Sequence, residues 1–167
     1  MIRKFNSLLV TMFGIGKIKF APGTFGSLAT TIILFYLFHL LNISSNIILI
    51  GLIIIFIYSF YAVYTHTENR KNKDPGEIVI DEFLGQSIPI YLYEVSHGTT
   101  KEAGEAIIYY GVFFFLFRYF DIAKPFPVNF FDKNFKNSFG VIMDDICAGF
   151  YVVLTLVCFM VIKSYVL

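Results

Sequence analysis

The sequence contains little charge. Of its 167 residues only 15% are Asp, Glu, Lys or Arg, whereas about a quarter of an average soluble chain is charged. Hydrophobic residues make up 57% of the chain and the mean hydropathy is +0.71. The composition therefore excludes an ordinary soluble globule and indicates a membrane protein, and the length suits a single domain over residues 1–167.

Two kinds of binding site are also missing. Cys147 and Cys158 lie in one apolar run and form no Cys-x-x-Cys pair, so we expect no metal or redox site built on cysteine. The net charge is +1, and the basic residues form no dense patch with interleaved aromatic residues. The sequence therefore predicts no nucleic-acid partner.

Charge is absent altogether between Ala21 and Thr67, and this interval is long enough for two membrane helices of about 20 residues each. Residues 27–41 and 47–64 are predicted to form these helices, joined by a polar turn. Another uncharged run, at residues 146–162, predicts a final span.

Two apolar segments in the middle of the chain are weaker candidates. Residues 106–117 form a short run, which continues as a helix only if Arg118 faces protein or lipid headgroups. Residues 83–93 contain Pro89 and suit a short, tilted or re-entrant helix shielded by its neighbours. The predicted fold class is therefore all-α, an integral membrane helical bundle with about four spans and a fifth short or re-entrant helix.

The first twenty residues have a pattern of their own. Phe5, Leu8, Leu9, Met12 and Phe13 recur at helical spacing, with basic residues at both ends. This pattern predicts an N-terminal amphipathic helix on the inner membrane surface. A first helix packed on the bundle explains the same pattern equally well.

Lysine and arginine fall mainly in three clusters: before the first span, after the second, and between the later helices. By the positive-inside rule, these clusters face the cytoplasm in a multi-pass protein. Lys101 and Lys163 lie elsewhere. The clusters consist of Arg3, Lys4, Lys17 and Lys19; Arg70, Lys71 and Lys73; and Arg118, Lys124, Lys133 and Lys136.

Two acidic pairs stand among large apolar residues at predicted helix ends. They are Asp81–Glu82 and Asp144–Asp145. A carboxylate next to the bilayer core costs about 2.5–3.5 kcal/mol on insertion scales, so such residues usually face a partner or a cavity. A divalent cation with oxygen ligands removes this penalty and the repulsion between the pairs, and Mg²⁺ is the usual ion where the substrate is a phosphate.

Basic and hydroxyl side chains are predicted at the same end of the bundle. Arg118, Asp121 and Lys124 follow one another at intervals of three residues, so Arg118 and Asp121 share a helix face. Arginine and lysine suit an anionic phosphate through bidentate and point-charge contacts respectively. Thr24 and Ser27, in a glycine-rich segment before the first span, add a helix N-terminus that attracts anions or is merely capped by these side chains.

Several classes of phosphatase are excluded because the chain lacks their catalytic residues. A cysteine phosphatase needs an arginine six residues after its nucleophile, where this chain has Val153 and Ser164. No Asp-x-Asp pair occurs, and none of the three histidines, at positions 39, 66 and 97, joins the acids. The remaining chemistry is metal-assisted hydrolysis of a phosphate ester.

Four segments together resemble the phosphatidylglycerophosphatase A family, in the order and at the spacing of that family. They are PGTFGSL at 22–28, DEFLG at 81–85, FRYFDIAKPFP at 117–127 and GVIMDDICAG at 140–149. The resemblance implies an all-α fold and Mg²⁺-dependent removal of the terminal phosphate from phosphatidylglycerophosphate. The product would be phosphatidylglycerol, formed at the cytoplasmic face of the bacterial inner membrane.

The resemblance also carries the family's polar positions onto this chain, and the role of each is our hypothesis. Arg118 and Lys124 would hold phosphate with Thr24 and Ser27. Asp121 would orient Arg118, complete the metal shell or act as the base, so that the catalytic set is Arg118, Asp121, Lys124 and Asp145. The hypothesis assigns the metal to Asp81, Glu82, Asp144 and Asp145.

Two alternatives compete with this interpretation. A CDP-alcohol phosphatidyltransferase also places an aspartate-rich Mg²⁺ site at an inner-face helix end, but its longer series of spaced aspartates and glycines is lacking here. A small transporter or channel subunit would line an ion pathway with the same acids, which predicts acids deep within the spans. The oligomeric state stays open, a homo-oligomer included.

Overall fold

The computed structural model describes residues 2–70, 72, 74–97 and 103–166, so Lys71, Lys73 and Lys101 lie outside the described residues. Within these ranges the chain forms helices and no strand, which confirms the predicted all-α fold. A 3₁₀ segment, Met12–Lys17, and a π-helical turn, Tyr36–Leu40, accompany the α-helices. The α-helices are α1 (Ile2–Val10), α2 (Pro22–Phe35), α3 (Ser45–Thr67), α4 (Ile80–His97), α5 (Ala103–Ala123), α6 (Val128–Asn134) and α7 (Ser138–Val166).

Four helices in the described part of the chain are long and apolar enough to cross a membrane, as the sequence predicts. Each is longer than its predicted apolar run, because glycine, polar and charged residues at the ends, such as Thr67 and Asp145, do not end the helix. The third also continues through Arg118, whose guanidinium faces Asp121 rather than lipid. The candidate spans are Pro22–Leu40, Ser45–Thr67, Gly104–Ala123 and Ser138–Tyr165.

The helix α4 is the predicted fifth helix, and it continues through Pro89. Its 18 residues rise about 27 Å at 1.5 Å per residue, and most of one face is buried by the other helices. Pro89 has no N–H, so the carbonyl of Gly85 loses its helical partner. That carbonyl instead approaches α7, where a Cβ on Gly149 would lie 2.3 Å from it.

The two ends of α4 have different polar partners. Near its C-terminal end, Glu94 Oε1 lies 3.0 Å from His39 Nε2 and accepts a 3.0 Å hydrogen bond from Tyr110 Oη. Glu94 follows Asp81 by 13 residues, which is about 20 Å along the helix. His39 therefore stands apart from the acidic pairs, as the sequence predicts.

The N-terminal helix is present, and it packs on α3. Asn6 is buried, donates a 2.6 Å hydrogen bond to Thr65 Oγ1 and accepts one of 2.7 Å from Tyr58 Oη. Phe5 and Leu8 stay exposed on the other side of the helix. The helix therefore combines both interpretations of its pattern, an apolar exposed face and a contact with the bundle.

The predicted apolar stripe of α1 does not continue beyond Val10. Met12 and Phe13 have φ angles of 44° and 57°, a left-handed conformation that ends a helix. Met12 is buried, whereas the Phe13 side chain is 83% exposed. The reason is the turn at 12–14, which points neighbouring side chains in different directions.

Candidate active site

Three of the predicted carboxylates meet at one end of the bundle. Asp81 and Glu82 lie in the first turn of α4, and Asp145 lies in the second turn of α7. One carboxylate oxygen from each residue lies within 4.8 Å of the other two. The close approach of α4 to α7 at Gly85, where a Cβ would lie 2.4 Å from the Asp145 carbonyl, produces this meeting.

The chemistry of this cluster fits a divalent cation. Asp81 and Asp145 are only 6% and 4% exposed, so water does little to solvate their charges or to screen the repulsion between them. Glu82 Oε2 and Asp145 Oδ1 are buried without a hydrogen-bond partner among the described residues, although buried polar atoms normally have one. Carboxylate oxygens are the ligands that Mg²⁺ prefers, and Asp81, Glu82 and Asp145 would hold it.

Asp144 is placed differently from its neighbour. Its Oδ2 accepts a 2.9 Å hydrogen bond from Lys124 Nζ, and its Oδ1 accepts one of 3.0 Å from the backbone N–H of Asp145. The four carboxylates of the hypothesis thus divide into three that could share one ion and one that pairs with lysine. The assignment of Asp144 to the metal stays a prediction.

Arg118 lies on α5 beside the cluster. Its Nη1 is 2.8 Å from Asp121 Oδ2 and 3.9 Å from Glu82 Oε1, and it donates a 3.3 Å hydrogen bond to Ser27 Oγ. The Arg118 side chain is 15% exposed. Of the three roles predicted for Asp121, this geometry favours the orientation of Arg118.

The N-terminal turn of α2 closes the site on another side. Ala21, with φ 47°, precedes Pro22 at the first helical position, which suits a helix start. Thr24 lies in this first turn, and Ser27 donates a 2.9 Å hydrogen bond to the Gly23 carbonyl. A Cβ on Gly23 would lie 2.0 Å from Glu82 Oε1 and 3.1 Å from Arg118 Nη1, so a larger residue here would displace the Glu82 carboxylate.

Lys124 has two carboxylate partners, one of which the sequence reasoning did not identify. Its Nζ donates to Asp144 and, at 2.8 Å, to Asp132 Oδ1 on α6. Burial lowers the pKa of Lys124, but the two carboxylates outweigh burial and hold that pKa above its ordinary value. The hydrogen bond from Lys124 holds the pKa of Asp132 below its ordinary value, so both groups are charged at neutral pH.

Gln86 is a second residue that the sequence reasoning missed. It is fully buried one turn after Glu82, and neither amide atom has a hydrogen-bond partner among the described residues. Residues four apart share a helix face, so Gln86 lies below Glu82 on α4. The available signal was an amide inside the apolar run at 83–93.

The fold and the site together define a class of protein. Membrane helices surround buried carboxylates, and arginine and lysine lie beside them at one end of the bundle. Such a site suits chemistry on a phosphorylated lipid, because the cations bind phosphate and the bilayer supplies the lipid.

The family model for phosphatidylglycerophosphatase A matches residues 8–160. The chain belongs to the phosphatidylglycerophosphatase A family, which makes it a phosphatase and decides against the transferase and transporter alternatives. No solved structure matches the chain.

Three relatives are similar over most of their length. Phosphatidylglycerophosphatase A of Haemophilus influenzae is 38% identical over 147 residues, 88% of this chain and 83% of that protein. The Escherichia coli protein of the same name is 33% identical over 144 residues, 85% of this chain and 76% of that one. A Bacteroides thetaiotaomicron protein, provisionally named a phosphatidylinositol-3-phosphatase, is 34% identical over 145 residues, 86% of each chain.

Proposed function

We propose that this protein hydrolyses phosphatidylglycerophosphate to phosphatidylglycerol and inorganic phosphate, with Mg²⁺, at the cytoplasmic face of the bacterial inner membrane. The proposal rests on the meeting of Asp81, Glu82 and Asp145 within 4.8 Å, with Arg118 3.9 Å from Glu82. The names of the Haemophilus influenzae and Escherichia coli relatives support the choice of substrate.

In the proposed reaction the side chains bind and orient the terminal phosphate. Arg118, held by Asp121, and Lys124, held by Asp144, present N–H groups to the phosphate oxygens. When bound, Mg²⁺ supplies Lewis-acid polarisation of the phosphoryl group. A water oxygen bonds to phosphorus, the bond from phosphorus to the glycerol oxygen breaks, and that oxygen leaves with a proton as the alcohol.

One relative supports a second candidate substrate. The Bacteroides thetaiotaomicron protein is provisionally named for phosphatidylinositol 3-phosphate, which also presents a phosphomonoester on a polyol headgroup. Both lipids suit the same cationic pair, Arg118 and Lys124.

The test is phosphate release by purified protein in detergent micelles that contain one lipid or the other. We expect release from phosphatidylglycerophosphate in Mg²⁺, loss of release when a chelator is added, and recovery when Mg²⁺ is restored. Faster release from phosphatidylinositol 3-phosphate would overturn the choice of substrate. Release that persists at full rate in chelator would overturn the metal requirement.

The orientation of the bundle can be tested separately. Lys133, on α6 beside the carboxylate end, and Lys163, near the other end of α7, are each replaced by cysteine after Cys147 and Cys158 are changed to alanine. Lys133→Cys should react with a membrane-impermeant maleimide only in inside-out vesicles, and Lys163→Cys only in right-side-out vesicles. The reverse labelling would place the site on the outer face.

A further inference from the structure

The chain turns sharply at Lys124, immediately after α5. Lys124 has a φ angle of 45°, a left-handed conformation that a non-glycine residue keeps only where its surroundings hold it. Pro125 follows and cannot continue the helix. The turn points the Lys124 side chain at α6 and α7 at once, where Asp132 and Asp144 accept its hydrogen bonds at 2.8 and 2.9 Å.

An ammonium group has three N–H bonds, and these two carboxylates accept two of them. The third direction is therefore fixed by the first two. Both carboxylates also line a cavity of about 240 Å³, together with Asn72, Asp74 and Lys136. The Lys124 ammonium is therefore held against two carboxylates that form part of the cavity wall.

We propose that Asp132 is a positioning residue, which with Asp144 aims the third N–H of Lys124 at the phosphate of the substrate. This inference rests on the proposed phosphatase function. Asp132 lies outside the four family-like segments and reaches the site only because α6 packs against α7. Lys136, which lines the same cavity, donates instead to the backbone carbonyl of Asp132.

The direction in which Asp132→Asn changes phosphate binding distinguishes a positioning role from a simple charge effect. Asp132→Asn removes a negative charge near a dianionic phosphate, which by Coulomb's law alone would tighten phosphate binding. It also replaces one of the two charged acceptors that fix the ammonium with a neutral amide oxygen, a weaker acceptor, which would weaken phosphate binding. The positioning role therefore predicts weaker binding, against the electrostatic trend.

We expect Asp132→Asn to lower kcat/KM by about tenfold, as for residues that orient a functional group. The inhibition constant for inorganic phosphate should rise by a similar factor, while the Mg²⁺ concentration for half-maximal activity stays unchanged. Asp132→Glu, which keeps the acceptor and the charge, should recover part of the loss. Glu105→Gln, an exposed substitution at the far end of α5, is the matched control and should behave as wild type.

A readout independent of turnover is the rise in Tm that inorganic phosphate causes, since a ligand of the folded state stabilises it. This rise should be smaller in Asp132→Asn than in wild type. An unchanged or larger rise, or unchanged or higher kcat/KM, would overturn the positioning role. So would a loss of activity that Asp132→Glu does not relieve and that tracks a lower Tm without phosphate. If wild type hydrolyses neither lipid, the proposed function fails, and the Tm comparison still decides whether Asp132 orients Lys124.

Discussion

Asp145→Asn is expected to lower phosphate release by more than about 100-fold, because loss of a group that only supports a metal ligand already costs about 10- to 100-fold. The substitution keeps the volume of the side chain, and the backbone N–H of residue 145 still donates to Asp144 Oδ1. The change is therefore confined to the charge and the oxygen that approach Asp81 and Glu82. The assay is phosphate release from phosphatidylglycerophosphate in saturating Mg²⁺.

A binding measurement distinguishes loss of the metal from loss of the fold. In wild type, Mg²⁺ should raise Tm, because a ligand at a hundredfold excess over its Kd stabilises the folded state by about 2.7 kcal/mol. Asp145→Asn should lose most of this rise, since two carboxylates remain where three met. Glu105→Gln serves as the control for a charge removed elsewhere. Full activity in both Asp145→Asn and Asp81→Asn would show that the carboxylate cluster binds no catalytic metal.

The core of this site can be predicted from the sequence because acidic residues are costly beside apolar membrane segments. Such acidic residues usually face a partner or a cavity. Asp81, Glu82 and Asp145 face one another and form the carboxylate cluster. The span ends were predicted less well. Polar and glycine residues such as Thr67 and Gly104 continue the helices, because the backbone hydrogen bonds of a span do not stop where its hydrophobic side chains stop.

Contacts that depend on how helices cross were beyond the sequence. Asp144 and Asp145 are neighbours with nearly the same surroundings in sequence, yet a helix directs them about 100° apart, one to Lys124 and one to the cluster. Asp132 lies in a polar segment where charges are ordinary. Its contact with Lys124 depends on the left-handed turn after α5 and on the packing of α6.

The path of α4 shows the same limit. The sequence predicts a short, tilted or re-entrant helix around Pro89, and proline removes one helical hydrogen bond. In the structure α4 continues through Pro89, and the freed Gly85 carbonyl lies against Gly149 of α7. Such close contacts between backbones allow Cα–H···O interactions that partly replace the missing bond. The same contact brings α4 close enough to α7 for their carboxylates to meet.

Gly149→Val should therefore abolish activity although residue 149 touches no reacting group. A Cβ at this position would lie 2.3 Å from the Gly85 carbonyl oxygen and 3.1 Å from its carbon, and neither helix backbone can rotate away as a side chain would. The helices must separate, which moves Asp81 and Glu82 on α4 away from Asp145 on α7. Overpacking of a core costs about 1–3 kcal/mol, so Tm in detergent should also fall.

Gly111→Val on α5 is the matched control, because a Cβ there meets nothing within 4 Å and the helix propensity changes in the same direction. Gly149→Ala tests the contact between the helices alone, since it adds only the Cβ atom that clashes with Gly85. We expect Gly111→Val to keep wild-type activity, and Gly149→Ala to lose most of the activity and most of the rise in Tm caused by Mg²⁺. Wild-type activity in Gly149→Val would mean that the carboxylates meet without this crossing, and the glycine contact would then have no part in building the metal site.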